Sequence, residues 1–356
     1  EFGLFVSFDD GDHWQSFQLN LPVTPVTDLQ VKEQDLVVAT QGRSLWILDD
    51  LSALHQLGGE GIGSERVLLA PGVVHRLPRA RSGGDRQAQN PPNGAVLRYF
   101  LPEEPTDTLV LEILDDSGNL VRSFTSDPDE EGERKIPKAR GMNRFVWDLT
   151  HEPVDLPEGA MAYLGYTGGP AAVPGEYQVR LTSGGWSQTQ PLHLLPDPRM
   201  GHVSEADLRA QLETAQRIRS RTEVLYDALE SLRSVRDQAR ASAARAEEGG
   251  FGDELKTLAD SLSAALTPLE EQLIQTKAES GQDPINFPPQ LDNQFGYLYR
   301  HVAGAYGRPT AAEITRLEEL ESALARIRGQ LQAVFDLYVP AFNAKVLELG
   351  VPPGVL

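Results

Sequence analysis

The residue types best placed to do chemistry open the chain: Ser7-Phe8-Asp9-Asp10-Gly11-Asp12-His13-Trp14. A carboxylate beside a hydroxyl and an imidazole is the raw material of acid–base catalysis. The spacing points elsewhere. Asp9, Asp10 and Gly11 spell a tight hairpin turn, in which a carboxylate accepts backbone N–H bonds and glycine takes positive φ. Trp14 is then expected to fold back as a small cap and to pack within the sheet. Ser7, Asp9, Gly11 and Trp14 thus read as a structural clip rather than a catalyst.

Other candidates fare no better as catalysts. Glycoside hydrolysis needs two carboxylates facing each other about 5–10 Å apart. Asp49 and Asp50 are neighbours on a strand, so they are expected on opposite faces. The histidines form no His-x-x-x-His or Glu-x-x-His pair, and no Gly-x-Ser-x-Gly elbow is present. With no cysteine, thiolate chemistry and disulfides are excluded. Asp127-Pro128-Asp129-Glu130-Glu131-Gly132 partly matches a calcium loop, but Lys138 stands where a bidentate Glu is required. An acidic hairpin tip is the expectation, and calcium at Asp127, Asp129 and Glu131 is its rival. No cofactor or metal is predicted. Gly58-Gly59-Glu60-Gly61 lacks phosphate-loop spacing and reads as linker. Tyr297, Tyr299, His301 and Tyr306 cluster after Asn286-Phe287-Pro288-Pro289, either as packing at the bundle's end or as a groove lining.

The formal net charge of -20 over 356 residues argues against nucleic acid and anionic membranes as partners. No apolar run approaches the roughly 20 residues of a membrane span.

The elements that position these residues divide the chain in three. Residues 1–50 hold short strands at about 4–8, 27–31, 35–40 and 43–48. Phe5, Leu29, Val37, Leu45 and Ile47 load the faces of this sheet, which cannot bury both alone. Residues 51–65 read as a linker carrying Leu51, Leu54 and Leu57. Residues 66–196 hold seven candidate strands, with Trp147 as the large core residue, and read as an Ig-like sandwich. Two long loops interrupt it: 78–94 with Arg79, Arg81 and Arg86, and 151–174 with Tyr163 and Tyr166. Either loop could bind a ligand or pack on a neighbouring domain. From residue 197 the period becomes helical. Ser204-Glu205-Ala206-Asp207 and Thr310-Ala311-Ala312-Glu313 are capping boxes. Four apolar stripes over 197–356 predict an antiparallel four-helix bundle, with Pro268 as a kink.

Ser-x-Asp-x-Gly-x-His-Trp at residues 7–14 resembles the Asp box, or bacterial neuraminidase repeat, of β-propellers. With Leu36–Asp50, Asn90–Ala95, Gly141–Leu149, Pro174–Leu181 and Asn286–Leu291, nearly the whole chain resembles the C-terminal part of bacterial Asp-box or sortilin-type propeller proteins with a glycosyl-hydrolase label. The sandwich segments are similar to the Ig-like domain of flagellar hook-cap proteins. The resemblance implies a last propeller blade, an Ig-like sandwich and a helical bundle, multidomain β then α. It implies a noncatalytic accessory region of an exported protein, secreted, periplasmic or at the bacterial cell surface. Its partners would be upstream propeller domains, a partner chain, or a protein or glycan ligand, with self-association as a further expectation. The rival readings are a glycoside hydrolase fragment whose active site lies in upstream blades and a purely structural assembly protein.

Overall fold

The computed structural model describes residues 3–59, 65–77, 91–128, 134–157, 168–248, 252–278, 280 and 283–350. The chain is β first and α afterwards. It divides into two compact units: Glu1–His151 with Ala172–Gly201, and Glu152–Ala171 with His202–Leu356.

The first unit begins with β1 (Phe5–Val6) and β2 (Gln15–Ser16), an antiparallel pair. A separate three-stranded antiparallel sheet follows, made of β3 (Val26–Lys32), β4 (Asp35–Thr40) and β5 (Leu45–Leu48) in that order. The segment expected as linker is partly helical: α1 spans Ser52–Gly59. Its leucines at 51, 54 and 57 recur at helical spacing. The Asp50 carboxylate accepts the Ser52 backbone N–H at 3.1 Å, satisfying an orphan donor at the helix start.

Next come β6 (Val67–Leu68), β7 (Val74–His75), β8 (Ala95–Leu101), β9 (Leu109–Asp115), β10 (Leu120–Thr125), β11 (Gly141–Trp147), β12 (Gly175–Ser183) and β13 (Trp186–Leu195). They form a five-stranded sheet ordered β10-β9-β12-β13-β7 and a three-stranded sheet ordered β11-β8-β6. Period-two alternation supplies the inward faces. Ala95, Leu97, Tyr99 and Leu101 from one sheet share a core with Leu109, Leu111, Ile113, Val179 and Leu181 from the other. Trp147 is fully buried in it, with Nε1 donating to the Thr150 carbonyl at 2.9 Å. The β9–β10 turn is held by Asp115, which accepts from the Asn119 backbone N–H at 2.8 Å.

Among the described residues the second unit has four α-helices: α2 (Glu205–Glu248), α3 (Gly252–Leu273), α4 (Leu291–Gly304) and α5 (Ala311–Glu348). Both capping boxes form. Ser204 Oγ accepts from Asp207 N, Asp207 Oδ2 accepts from Ser204 N, and Thr310 and Glu313 are reciprocally bonded. The helices do not run four abreast. One apolar core joins α2, α4 and α5, with Leu273 at the end of α3; the other joins α2, α3 and α5. Length explains this. The 44 residues of α2 span about 66 Å, whereas α3 and α4, with 22 and 14, span about 54 Å together. The two shorter helices therefore share the long pair in tandem, three helices at each level.

Within the 151–174 loop, the described residues 152–157 and 168–171 belong to this helical unit. Arg219 Nε donates to the Pro153 carbonyl at 3.1 Å, and Tyr299 Oη to the Gly168 carbonyl at 2.7 Å. Tyr163, Tyr166, Arg79, Arg81 and Arg86 lie outside the described residues, as does the glycine run at 61–63.

Candidate functional site

At the opening hairpin, Ser7 Oγ accepts the Gly11 N–H at 2.8 Å and donates to Asp9 Oδ1 at 2.8 Å. Asp9 Oδ1 also accepts the His13 N–H at 2.9 Å, and Asp9 Oδ2 lies 2.6 Å from His13 Nδ1. Gly11 has φ +96°, so only glycine is unstrained there. Hydrogen bonds from the His13 backbone, then the His13 ring, then the Ser7 hydroxyl hold the Asp9 carboxyl below its ordinary value. A carboxylate so engaged is an acceptor for its own turn. Trp14 departs from the expectation of packing inside the sheet. Its indole covers Gly11 of the same hairpin and stays 65% exposed. Replacing Asp9 with alanine should speed hydrogen exchange at the His13 amide without disturbing the helical unit. Unchanged protection there would show that the turn holds without the carboxylate.

The neighbouring sheet is apolar across one face, and on the other in β4 and β5, where β3 contributes Asp28 and Gln30. Leu29 and Val31 of β3 pair with Val38 and Leu36 of β4, which pair with Trp46 and Leu48 of β5, all on one face. Val37 and Ala39 pair with Ile47 and Leu45 on the other. Leu29 is 50% exposed, Val31 60%, Leu45 69% and Ile47 61%. Within the sheet only Val38 is buried among its described apolar residues. Sheets with one solvated face alternate apolar and polar; a strand apolar on both sides expects cover on both.

One carboxylate grouping escaped sequence reading. Leu36 pairs with Leu48, which sets Asp35 beside the end of β5, and Asp35 Oδ1 accepts the Asp50 N–H at 2.9 Å. Burial and the Asp35 charge push Asp49 up against the opposing pull of Arg144. Burial also pushes Asp50 up, but hydrogen bonds from Ser52 and Arg98 outweigh it. Arg98 meets Asp50 at 2.5 Å. The signal was available in the β4–β5 register. Asp50 is tied up by its salt bridge and its helix-start bonds, so the grouping anchors α1 to β8.

Elsewhere, Asp127 is engaged by Lys138 at 2.9 Å and by Ser126 at 2.8 Å, while Asp129 and Glu131 lie outside the described residues. Among the described residues, no three His, Asp or Glu side chains are grouped to hold a metal ion. The aromatic cluster splits. Tyr299 is buried, whereas Tyr297 meets His301 edge-on at 4.7 Å along a cleft of ≈ 530 Å³ between α4 and the first turns of α5. The polar groups on that cleft already serve the fold: Glu313 caps α5, and Arg316 bonds Gln294 and Glu319.

Among the described residues, no helix is long and apolar enough to cross a membrane. No protein-family model matches the chain, and no curated protein matches it. Among solved structures it is similar to one titled pT26-6p, at 12% identity over 69% of this chain and 47% of that one, with a TM-score of 0.16. The chain thus spans less than half of that protein, and a superposition this poor assigns neither fold nor function.

Proposed function

We propose that this chain is a noncatalytic accessory region of an exported Asp-box propeller protein, in which residues 3–50 act as a docking blade. The observation that carries the reading is the β3–β5 sheet, with apolar residues on both faces of which Leu29, Val31, Leu45 and Ile47 are at least half exposed. A propeller blade is sandwiched between neighbours, which is what such a sheet requires. Burying one such side chain is worth about 1.5–3 kcal/mol, so docking several gives a substantial driving force. The partner surface would be upstream propeller blades or another chain with a complementary apolar face. The Asp9 clip would keep the opening hairpin folded at the edge of that blade. The two-sheet region, read as Ig-like, and the helical bundle would support the blade and present it.

Native-state proteolysis tests this. Lys32 closes β3 at its turn and Arg43 lies in the β4–β5 turn, both exposed. Trypsin should cut the 356-residue chain there first, well before the helical core. From Asp50 onward the Arg98 salt bridge and the Gln56–Ala70 hydrogen bonds hold the chain. A longer polypeptide carrying the upstream sequence should protect both sites. If residues 26–48 resist trypsin in the dilute chain as well as the bundle does, the blade is already covered and the reading fails.

A further inference from the structure

The entry into β8 carries a reactive pair. Asn93 and Gly94 stand immediately before Ala95, where the antiparallel ladder with β11 begins opposite Trp147. The fold requires glycine at 94. Its φ is +149°, and a Cβ there would lie 2.3 Å from the Trp147 carbonyl oxygen and 2.9 Å from Val146 Cγ1. The chain passes this close to β11 because the residue has no side chain. Asn93 is exposed, and no hydrogen bond holds its side chain among the described residues. Pro91 and Pro92 before it are exposed as well. Every other asparagine in the chain is followed by a residue that carries a side chain.

The glycine that the fold requires also makes Asn93 unstable. The backbone nitrogen after an asparagine can attack the side-chain amide carbon. A following side chain crowds that nitrogen, and glycine leaves it open. We propose that Asn93 is a self-modification site at which this reaction converts the amide to a carboxylate. The Gly94 nitrogen gives up its proton to base and bonds to the Asn93 side-chain carbonyl carbon. The bond from that carbon to the amide nitrogen breaks, and the nitrogen takes up a proton and leaves as ammonia. Water then opens the cyclic imide. Attack at the main-chain carbonyl leaves isoaspartate, and attack at the side-chain carbonyl leaves aspartate. One water is consumed, one ammonia is released, and no electrons are transferred. Ring closure needs rotation about the Asn93 bonds. The exposed residues 91–93 can make it while Gly94 stays against Trp147. The two products differ in consequence. Isoaspartate adds a carbon to the main chain directly before Gly94, where there is no slack. The pairing of Ala95 with Trp147 should then be lost, beside the fully buried indole. The proposal is independent of the docking blade.

Hydroxylamine attacks the same cyclic imide and cuts the chain there, so it reads ring closure directly. The whole chain should be split between residues 93 and 94 at rates within about tenfold of each other when native and in urea, since an exposed turn opens at little cost. Asn93→Ser, which leaves Gly94 in place, should abolish the cut. Peptide mapping of aged protein should find isoaspartate and aspartate at position 93 ahead of any other asparagine. Native cleavage slower than in urea by more than about tenfold would show that the fold blocks ring closure, and would overturn the site. Aged protein with position 93 intact would do the same. Asn93→Asp supplies the charge without the extra carbon. The aged isoaspartate form should therefore exchange the amides around Ala95 and Trp147 faster than Asn93→Asp does. Equal protection in the two would overturn the effect on β8.

Discussion

Replacing Glu270 with alanine should lower the stability of the helical unit by about 3–5 kcal/mol, the cost of stripping one partner from a buried ion network. Glu270 lies on α3 and is 7% exposed. Its Oε1 accepts from Arg233 Nε at 2.8 Å, and its Oε2 pairs with Arg236, both on α2. The Arg233 and Arg236 side chains are themselves only 26% and 16% exposed. Truncation would take from both arginines the carboxylate they share, with Asp237 at 3.7 Å left to Arg236. The cleft of ≈ 400 Å³ beside them admits some water, which favours the lower end of the range. Glutamine keeps the shape and one acceptor, so it should cost less. Burial pushes the Glu270 carboxyl up, but hydrogen bonds and charge from Arg236 and Arg233 more than offset this and leave it lowered. Its contribution is therefore present above the ordinary value of 4.5 and lost as pH falls through the lowered one. Urea unfolding followed by helical circular dichroism measures the loss. A loss under about 1 kcal/mol, the level of an exposed ion pair, would show that the arginines find other partners.

Local chemistry was the legible part of this chain. Hairpin turns at Asp9–Gly11 and Asp115–Asn119, and the caps at Ser204 and Thr310, depend on side chains bonding their own neighbours, so short strings specify them. The apolar periods of β8, β12 and the helices were equally plain. What escaped depends on distance in space. The three-helix levels follow from the relative lengths of α2, α3 and α4, and no single stripe encodes them. The regular apolar period of α5 is plain as far as Val334, and the helix runs on to Glu348. Pro340 faces solvent, while Phe342 and Val346 continue into the core. Lys345 ties that last turn to Glu254 of α3 at 2.7 Å. Asp35 and Asp49 looked unrelated because β4 and β5 bring them together only once the register is known.

Asp292 should behave in the opposite sense to Glu270, and replacing it with asparagine should stabilise the protein at neutral pH. It sits in the first turn of α4, 4% exposed, and accepts the Asn293 N–H at 2.6 Å. Burial pushes its carboxyl from 3.8 to about 6, against the downward pull of the Asn293 hydrogen bonds. Tyr226 of α2 is buried close enough for the Asp292 charge to add to burial in raising its hydroxyl. No cation among the causes acting on Asp292 offsets its burial. A carboxyl raised on folding binds its proton more tightly in the native state. Its contribution is fully present below the ordinary value of 3.8 and is lost as pH rises through about 6. At 1.36 kcal/mol per unit, the cost of ionising it in place reaches about 3 kcal/mol at pH 7. Asparagine offers the same acceptor to Asn293 without the charge. The Asp292→Asn variant should therefore gain up to about 3 kcal/mol over the parent at pH 7 and little at pH 4. Any fixed penalty from seating the amide shifts both values equally and leaves their difference intact. Urea unfolding of parent and variant at pH 4, 5, 6 and 7 reads that difference directly. A gap that stays constant across the series would mean the carboxyl does not change protonation there, and that Asp292 is solvated or paired in the native bundle.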